Sequence, residues 1–395
     1  MPGPGSDLPL TRRSLIGALL TAPALGSLSA CATPSSSPGG NDGDAEGEGH
    51  SSLSRPEAPT PADRPRMPDE GSAHSRTWMA FGASAEIWGA DLLEQVRSDL
   101  AAVARAIARH EPVTALVRPH ERDLAHDYLG SKVTLLDAPL DDLWIRDSGP
   151  TFVTGRTGVA AVDFNFNGWG DKQAHTADAA VAARVASAAG CPRHRSELVL
   201  EGGALEVDGH GTAIITESCV LNDNRNPGWS RTDVEAELAD TLGIDHVIWL
   251  PGIAGQDITD GHTDFYARFV RPGVVVAARD DDPASFDHDV TRRHLRILTD
   301  ARDRAGRRLQ VAELPAPRDL RPEILTDDFA AGYVNFYVCN GAVIAPRFGD
   351  ARADAAAAAT LQRLYPDRQV AQVRIDGIAA GGGGIHCSTQ QQPHA

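Results

Sequence analysis

Apolar residues recur at three- and four-residue spacing in five stretches, 92–110, 177–189, 232–242, 289–305 and 354–364, and each stretch predicts an amphipathic helix. Between them lie short runs rich in β-branched residues, at 133–136, 160–164, 197–200, 212–216, 246–250, 274–278, 336–338, 342–345 and 370–375. Runs of that length and composition predict strands. Helices return at intervals of about 55–80 residues with strands between them, which reads as the repetition of one unit. Short strands alternating with helices make the expected fold class α/β.

The N-terminal part follows no such pattern. Arg12-Arg13 precedes an apolar run from Leu15 to about Leu28, and Leu28-Ser29-Ala30-Cys31 follows. Paired arginines before a short apolar segment predict a twin-arginine export signal over 1–31. The Leu-Ser-Ala-Cys tail resembles a lipobox with Cys31 as the lipid attachment, which would tether the protein to the outer face of a bacterial cell membrane. A cleaved secretory signal with an incidental cysteine is the alternative. Residues 32–73 are Ser, Gly, Pro and acidic residues with almost nothing apolar, and predict a disordered linker because such a segment cannot offset its ordering entropy. The folded domain is then expected over 74–395.

A net charge of −17 argues against a nucleic-acid surface and suits a cationic substrate. The five cysteines, Cys31, Cys191, Cys219, Cys339 and Cys387, contain no CxxC pair and no ladder of short spacings, a pattern that reads as neither a disulfide scaffold nor a zinc site. No dinucleotide fingerprint is present, and the Gly381–Gly384 run has no P-loop lysine behind it.

Four stretches carry candidate chemistry. In Gly381-Gly382-Gly383-Gly384-Ile385-His386-Cys387, the glycines let backbone approach a ligand and Cys387 is a candidate nucleophile, although a small buried cysteine is the equal alternative. An extended backbone there would put His386 on the face opposite the thiol. In Asp260-Gly261-His262-Thr263-Asp264, an extended backbone would turn His262 and Asp264 to one face, placing a proton shuttle beside a carboxylate, while a surface turn built on the Asp-Gly pair is the alternative. Arg146-Asp147-Ser148-Gly149-Pro150 and Leu200-Glu201-Gly202-Gly203 each set a carboxylate at an expected strand end, where Arg146 could pair with Asp147. A thiol, an imidazole and three carboxylates together suit a planar cation, which carboxylates grip by bidentate hydrogen bonds.

These motifs, in this order, resemble agmatine deiminases and bacterial peptidyl-arginine deiminases of the guanidine-modifying superfamily. The resemblance runs from Thr77 to Pro393 and includes Thr77-Trp78-Met79-Ala80, Trp144 to Thr151, Phe164-Asn165-Phe166-Asn167-Gly168-Trp169-Gly170, Leu200 to Gly203, Asn222 to Pro227, Gly261 to Asp264, Tyr333 to Tyr337 and Gly384 to Pro393. It implies a five-bladed, pseudo-fivefold α/β propeller of ββαβ units. It also implies that Cys387 attacks the guanidinium carbon, His262 serves as acid and then base, and Glu201 orients the histidine. Asp147 and Asp264 would grip the guanidinium, with Asn335 close by. Neither a metal nor an organic cofactor is implied, and a homodimer is compatible with the family.

The chain departs from the agmatine deiminase pattern at Phe81-Gly82, in the short segment before Gly261, and at Phe265-Tyr266-Ala267-Arg268. All three adjoin the catalytic motifs, so the substrate stays open between agmatine and an arginine side chain in a peptide. A lipid-anchored guanidine-binding protein without turnover is the remaining reading, and it has no need of the thiol.

Overall fold

The computed structural model describes residues 64–395. The export signal, Cys31 and most of the expected linker lie outside the described residues. Of the cysteines that are described, Cys219, Cys339 and Cys387 are buried, Cys191 is half-buried, and all four are free.

Strands β1 (His74–Phe81), β2 (Val113–Val117) and β3 (Val133–Asp137) belong to one sheet. The next sheets take β4 (Thr151–Gly155), β5 (Gly158–Asp163) and β6 (Arg193–Arg195), then β7 (Leu205–Val207), β8 (Thr212–Thr216) and β9 (His246–Leu250). Two more take β10 (Ala267–Arg271), β11 (Val274–Arg279) and β12 (Gln310–Pro315), then β13 (Tyr337–Cys339), β14 (Ala342–Arg347) and β15 (Gln369–Arg374). The last strand, β16 (Gln390–Pro393), returns to the first sheet and pairs antiparallel with β1.

Each three-stranded sheet repeats one connection. Its first two strands form an antiparallel hairpin, and the third lies parallel to the second. A parallel return needs a crossover, and a helix supplies it. The crossovers are α1 (Ala85–Ile107) between β1 and β2, α2 (Arg122–Leu129) before β3, α3 (Val181–Ala189), α4 (Arg231–Leu242), α5 (Asp287–Asp300) and α6 (Ala351–Leu364). In the first sheet the hairpin partner of β1 is β16, so that unit is assembled from both ends of the chain.

The five predicted helices are α1 and α3 to α6, with ends moved by a few residues. Helix α4 begins in a capping box, in which the Ser230 hydroxyl accepts from Asp233 N–H and the Asp233 carboxylate accepts from Ser230 N–H. The predicted strand at 197–200 does not form. There Val199 N–H donates to the Asn226 side chain at 2.9 Å and Leu200 N–H to Phe164 O at 3.1 Å, so the backbone is held by single contacts rather than a ladder.

Residues 64–73 are not linker. Arg66 exchanges backbone hydrogen bonds with Thr154, Met67 N–H donates to Leu242 O, and Met67 and Glu70 are buried. Composition hides this because one apolar residue and one buried acid hold the segment down.

Candidate active site

Asp147 lies in a one-turn helix, Ile145–Ser148, rather than at the end of a strand. Its Oδ1 accepts from Gly203 N–H at 3.0 Å and its Oδ2 from Trp169 Nε1 at 3.0 Å. Trp169 stands at φ 58°, a left-handed conformation that is strained for a bulky residue. Arg146 does not pair with Asp147. It points away, donating to His386 O, to the side-chain oxygens of Gln390 and Gln391, and to Glu70 Oε2 at 3.1 Å.

Glu201 precedes a short 3-10 turn, Gly202–Ala204, and is fully buried. Arg225 Nε pairs with its Oε1 at 3.0 Å, and Arg225 Nη1 pairs with Asp260 Oδ2 at 2.6 Å. His262 Nε2 lies 3.4 Å from Glu201 Oε2, and its Nδ1 lies 3.9 Å from Asp147 Oδ2. The 263–265 backbone makes a turn, closed by Tyr266 N–H to Thr263 O at 2.8 Å, rather than the extended segment expected. His262 and Asp264 reach the site from this turn instead of by strand alternation.

Cys387 also occupies a turn, where Ser388 N–H donates to Ile385 O and Thr389 N–H to His386 O. Its Sγ lies 3.4 Å from Asp264 Oδ2 and receives Asn335 Nδ2 at 3.2 Å. The same Asp264 oxygen meets His386 Nδ1 at 2.8 Å, and His386 Nε2 meets Glu70 Oε2 at 2.9 Å. His386 therefore serves the thiol's neighbour and not the thiol. Glu70 Oε1 in turn pairs with Arg268 Nη2 at 2.7 Å. The glycine run packs against protein: a Cβ at Gly383 would lie 2.2 Å from the Trp144 ring, and one at Gly384 would lie 2.3 Å from Asn335 Oδ1.

Three of the expected residues meet at Gly203. A Cβ there would lie 2.5 Å from His262 Nδ1, 2.9 Å from Asp147 Oδ1 and 3.2 Å from Asp264 Oδ2. All six residues singled out in the sequence, Asp147, Glu201, His262, Asp264, Asn335 and Cys387, are buried in this one region.

Charge is unevenly held here. Burial drives the Cys387 thiol well above its usual range, and the Asp264 and Asp147 carboxylates push the same way. Burial also raises Asp147 against the pull of His262. Burial opposes charge on His262, yet Asp147, Cys219 and Glu201 outweigh it and raise the imidazole well above its usual value. Glu201 resists burial through Arg225 and His262 and is lowered to about 2. Asp264 is lowered despite burial by its bond to His386, while its Oδ1 is buried and has no hydrogen-bond partner among the described residues.

Sequence reasoning gave no role to Glu70, Trp169, Arg225 or Arg268, and considered His386 only to set it aside as a partner for the thiol. The signal for Arg225 was a charged residue inside the Asn-rich motif 222–227. Glu70 gave none.

Among the described residues, five small mixed sheets and a buried centre of thiol, imidazole and acids place the chain among α/β proteins with a thiol centre. The sequence profile of Porphyromonas-type peptidyl-arginine deiminases matches residues 66–393, and the chain belongs to that family. It is 48% identical over 337 residues to a Streptomyces coelicolor protein provisionally named an agmatine deiminase, covering 83% of this chain and 98% of that one. It is 40% identical over 356 residues to the agmatine deiminase of Ectopseudomonas mendocina, covering 84% and 96%. The solved agmatine deiminase of Enterococcus faecalis superposes with a TM-score of 0.77 at 29% identity, covering 84% of this chain and 96% of that chain.

Proposed function

We propose that this chain is a hydrolase of C–N bonds in linear amidines that converts agmatine and water to N-carbamoylputrescine and ammonia. The observation that carries the reading is the bare, buried Oδ1 of Asp264 beside a thiol held 3.4 Å from the same carboxylate. A buried acceptor without a donor is costly. A guanidinium supplies N–H donors and a positive charge in one plane.

The chemistry follows from the charges. Asp264 and Asp147 hold the guanidinium with its carbon in front of Sγ. The arriving cation offsets the two carboxylates that keep Cys387 protonated, so the thiol releases its proton to solvent and the thiolate forms only when its target is present. Sulfur bonds to the guanidinium carbon, and the C=N electron pair moves onto nitrogen. His262, an imidazolium because of Asp147 and Glu201, protonates the departing ammonia. Now neutral, His262 takes a proton from water, the hydroxyl adds to the thiouronium carbon, and the C–S bond breaks to release the ureido product. Glu201 accepts from Nε2–H and holds the ring so that Nδ1 faces the site.

The depth of the six residues favours a thin substrate such as agmatine over arginine within a peptide. The same proposal takes the five sheets as blades of a closed pseudo-fivefold ring, with the pairing of β1 and β16 as support. It places the enzyme outside the cell membrane, on the strength of Arg12-Arg13 and the lipobox-like residues ending at Cys31.

Ureido-product formation by the purified chain with agmatine, free arginine and a blocked arginine peptide tests the reading. Turnover of agmatine alone is expected. Preference for the blocked peptide would make it a protein-modifying deiminase, and no product from any of the three would leave a binding role.

A further inference from the structure

Beside the catalytic imidazole lies a group that the deimination chemistry does not use. Cys219 Sγ lies 3.5 Å from Glu201 Oε2, the same oxygen that faces His262 Nε2 at 3.4 Å. One ligand atom from each of Glu201, Cys219 and His262 lies within 4.8 Å of the others, and all three residues are buried. Arg225 occupies the other oxygen of Glu201, so Oε2 is shared only between the thiol and the ring.

The spacing is informative. An N–H to O contact of 3.4 Å is longer than a well-formed hydrogen bond, which falls at about 2.7–3.2 Å. Tetrahedral zinc takes Zn–N and Zn–O bonds of about 2.0–2.1 Å and Zn–S bonds of about 2.3 Å. At tetrahedral angles those lengths separate N from O by about 3.3 Å and S from O by about 3.5 Å. The two separations in the protein are 3.4 Å and 3.5 Å. Nitrogen, sulfur and oxygen ligands together suit zinc among the divalent cations. Spacing along the chain gave no zinc signature because the ligands come from positions 201, 219 and 262, on three different turns.

We propose that Glu201, Cys219 and His262 form an inhibitory zinc site that shares its imidazole with the catalytic centre. Zinc displaces the Cys219 thiol proton to solvent, and Cys219 becomes a thiolate ligand. It also displaces the His262 Nε2 proton to solvent and binds the lone pair that this proton held. The ring then retains a proton at Nδ1 only and can no longer become the imidazolium that protonates departing ammonia. Occupied enzyme is inactive, and chelation restores it. That consequence rests on the deimination reading, but the metal site itself does not.

Cobalt, with its visible and near-ultraviolet thiolate charge-transfer absorption, probes the site directly in the purified full chain. The expected result is one band set in wild type and in Cys387→Ala, absent from Cys219→Ser and Cys219→Ala. In parallel, zinc should inhibit product formation by wild type, and Cys219→Ser should require about 100-fold more zinc for the same inhibition. Cys219→Ala is the second variant in case the serine chain folds poorly. A band set that survives in both Cys219 variants overturns the proposal, as does one that disappears in Cys387→Ala, since the metal would then sit on the nucleophile. Absence of any thiolate band in wild type also overturns it. Cobalt binding to a chain that, once chelated free of metal, still forms no product would sink the deiminase reading and leave the metal site standing.

Discussion

At the scale of single residues, the site tolerates least change at Cys387 and Gly203. Cys387→Ser keeps a hydroxyl of similar size but removes the sulfur nucleophile. Turnover should fall below detection while thermal unfolding stays within a few degrees of wild type, and turnover near wild type would remove Cys387 from its role. Gly203→Ala fails for a different reason. A methyl group there meets His262, Asp147 and Asp264 at once, and its N–H still has to reach Asp147 Oδ1. Displacing catalytic groups by about an ångström costs on the order of 10²-fold in rate, so a loss of at least that size in kcat/KM is expected. An unchanged kcat/KM would show that the three side chains do not need their present places.

Among the elements, the segment 64–73 carries more than its composition suggests. Glu70 faces Arg146, Arg268 and His386 in the interior. These contacts outweigh its burial and hold its carboxyl well below the usual range. Removing one member of a buried ion pair leaves its partners uncompensated and costs about 3–5 kcal/mol. Glu70→Ala should therefore lose about that much in denaturant unfolding, and a chain beginning at Ala73 should be less stable than one beginning at Arg64 by at least the same amount. Equal midpoints for the two chains would contradict this. The segment also shows where sequence reading stops. The helices α1 and α3 to α6 were legible because apolar spacing is local, and Asp147, Glu201, His262, Asp264 and Cys387 because each stands in an unusual local pattern, whereas Asn335 came only through the family resemblance. Glu70 was not, because its partners lie 76, 198 and 316 positions away and a single acid among prolines and serines has no periodicity. Helix α2 was missed because eight residues hold too few turns to show a period. The turns at 263–265 and 385–388 were read as extended because alternation over three residues cannot be told from a turn.

For the molecule as a whole, buried acids set the response to pH. Asp99 and Asp142 are raised to about 6 and Asp178 to about 7, by burial first in each case. Their partners are N–H donors: Gln95 and Gly377 for Asp99, Trp88, Gln173 and Leu143 for Asp142, and the backbone of Asp141 and Asp142 for Asp178. A carboxyl that ionises later in the folded chain than in the unfolded chain stabilises the fold below the usual carboxylate range, and the stabilisation is lost as pH rises through 6 to 7. The denaturation midpoint should accordingly be lower at about pH 8 than at about pH 5. A midpoint that rises over the same interval would show that these acids are ionised at little cost.

Finally, the pairing of β1 with β16 has a consequence for how the protein is made. Cys387 precedes β16 by three positions, and β16 is the last strand among the described residues. A ribosome reads the acids, the histidine and every crossover helix before it reaches the sulfur. Translation halted before codon 387 yields a chain with no nucleophile, and translation halted just after it yields a thiol without the strand that joins it to the first sheet. Copies terminated before β16 are therefore inert, and deimination, wherever it is detected, reports a polypeptide read at least through β16.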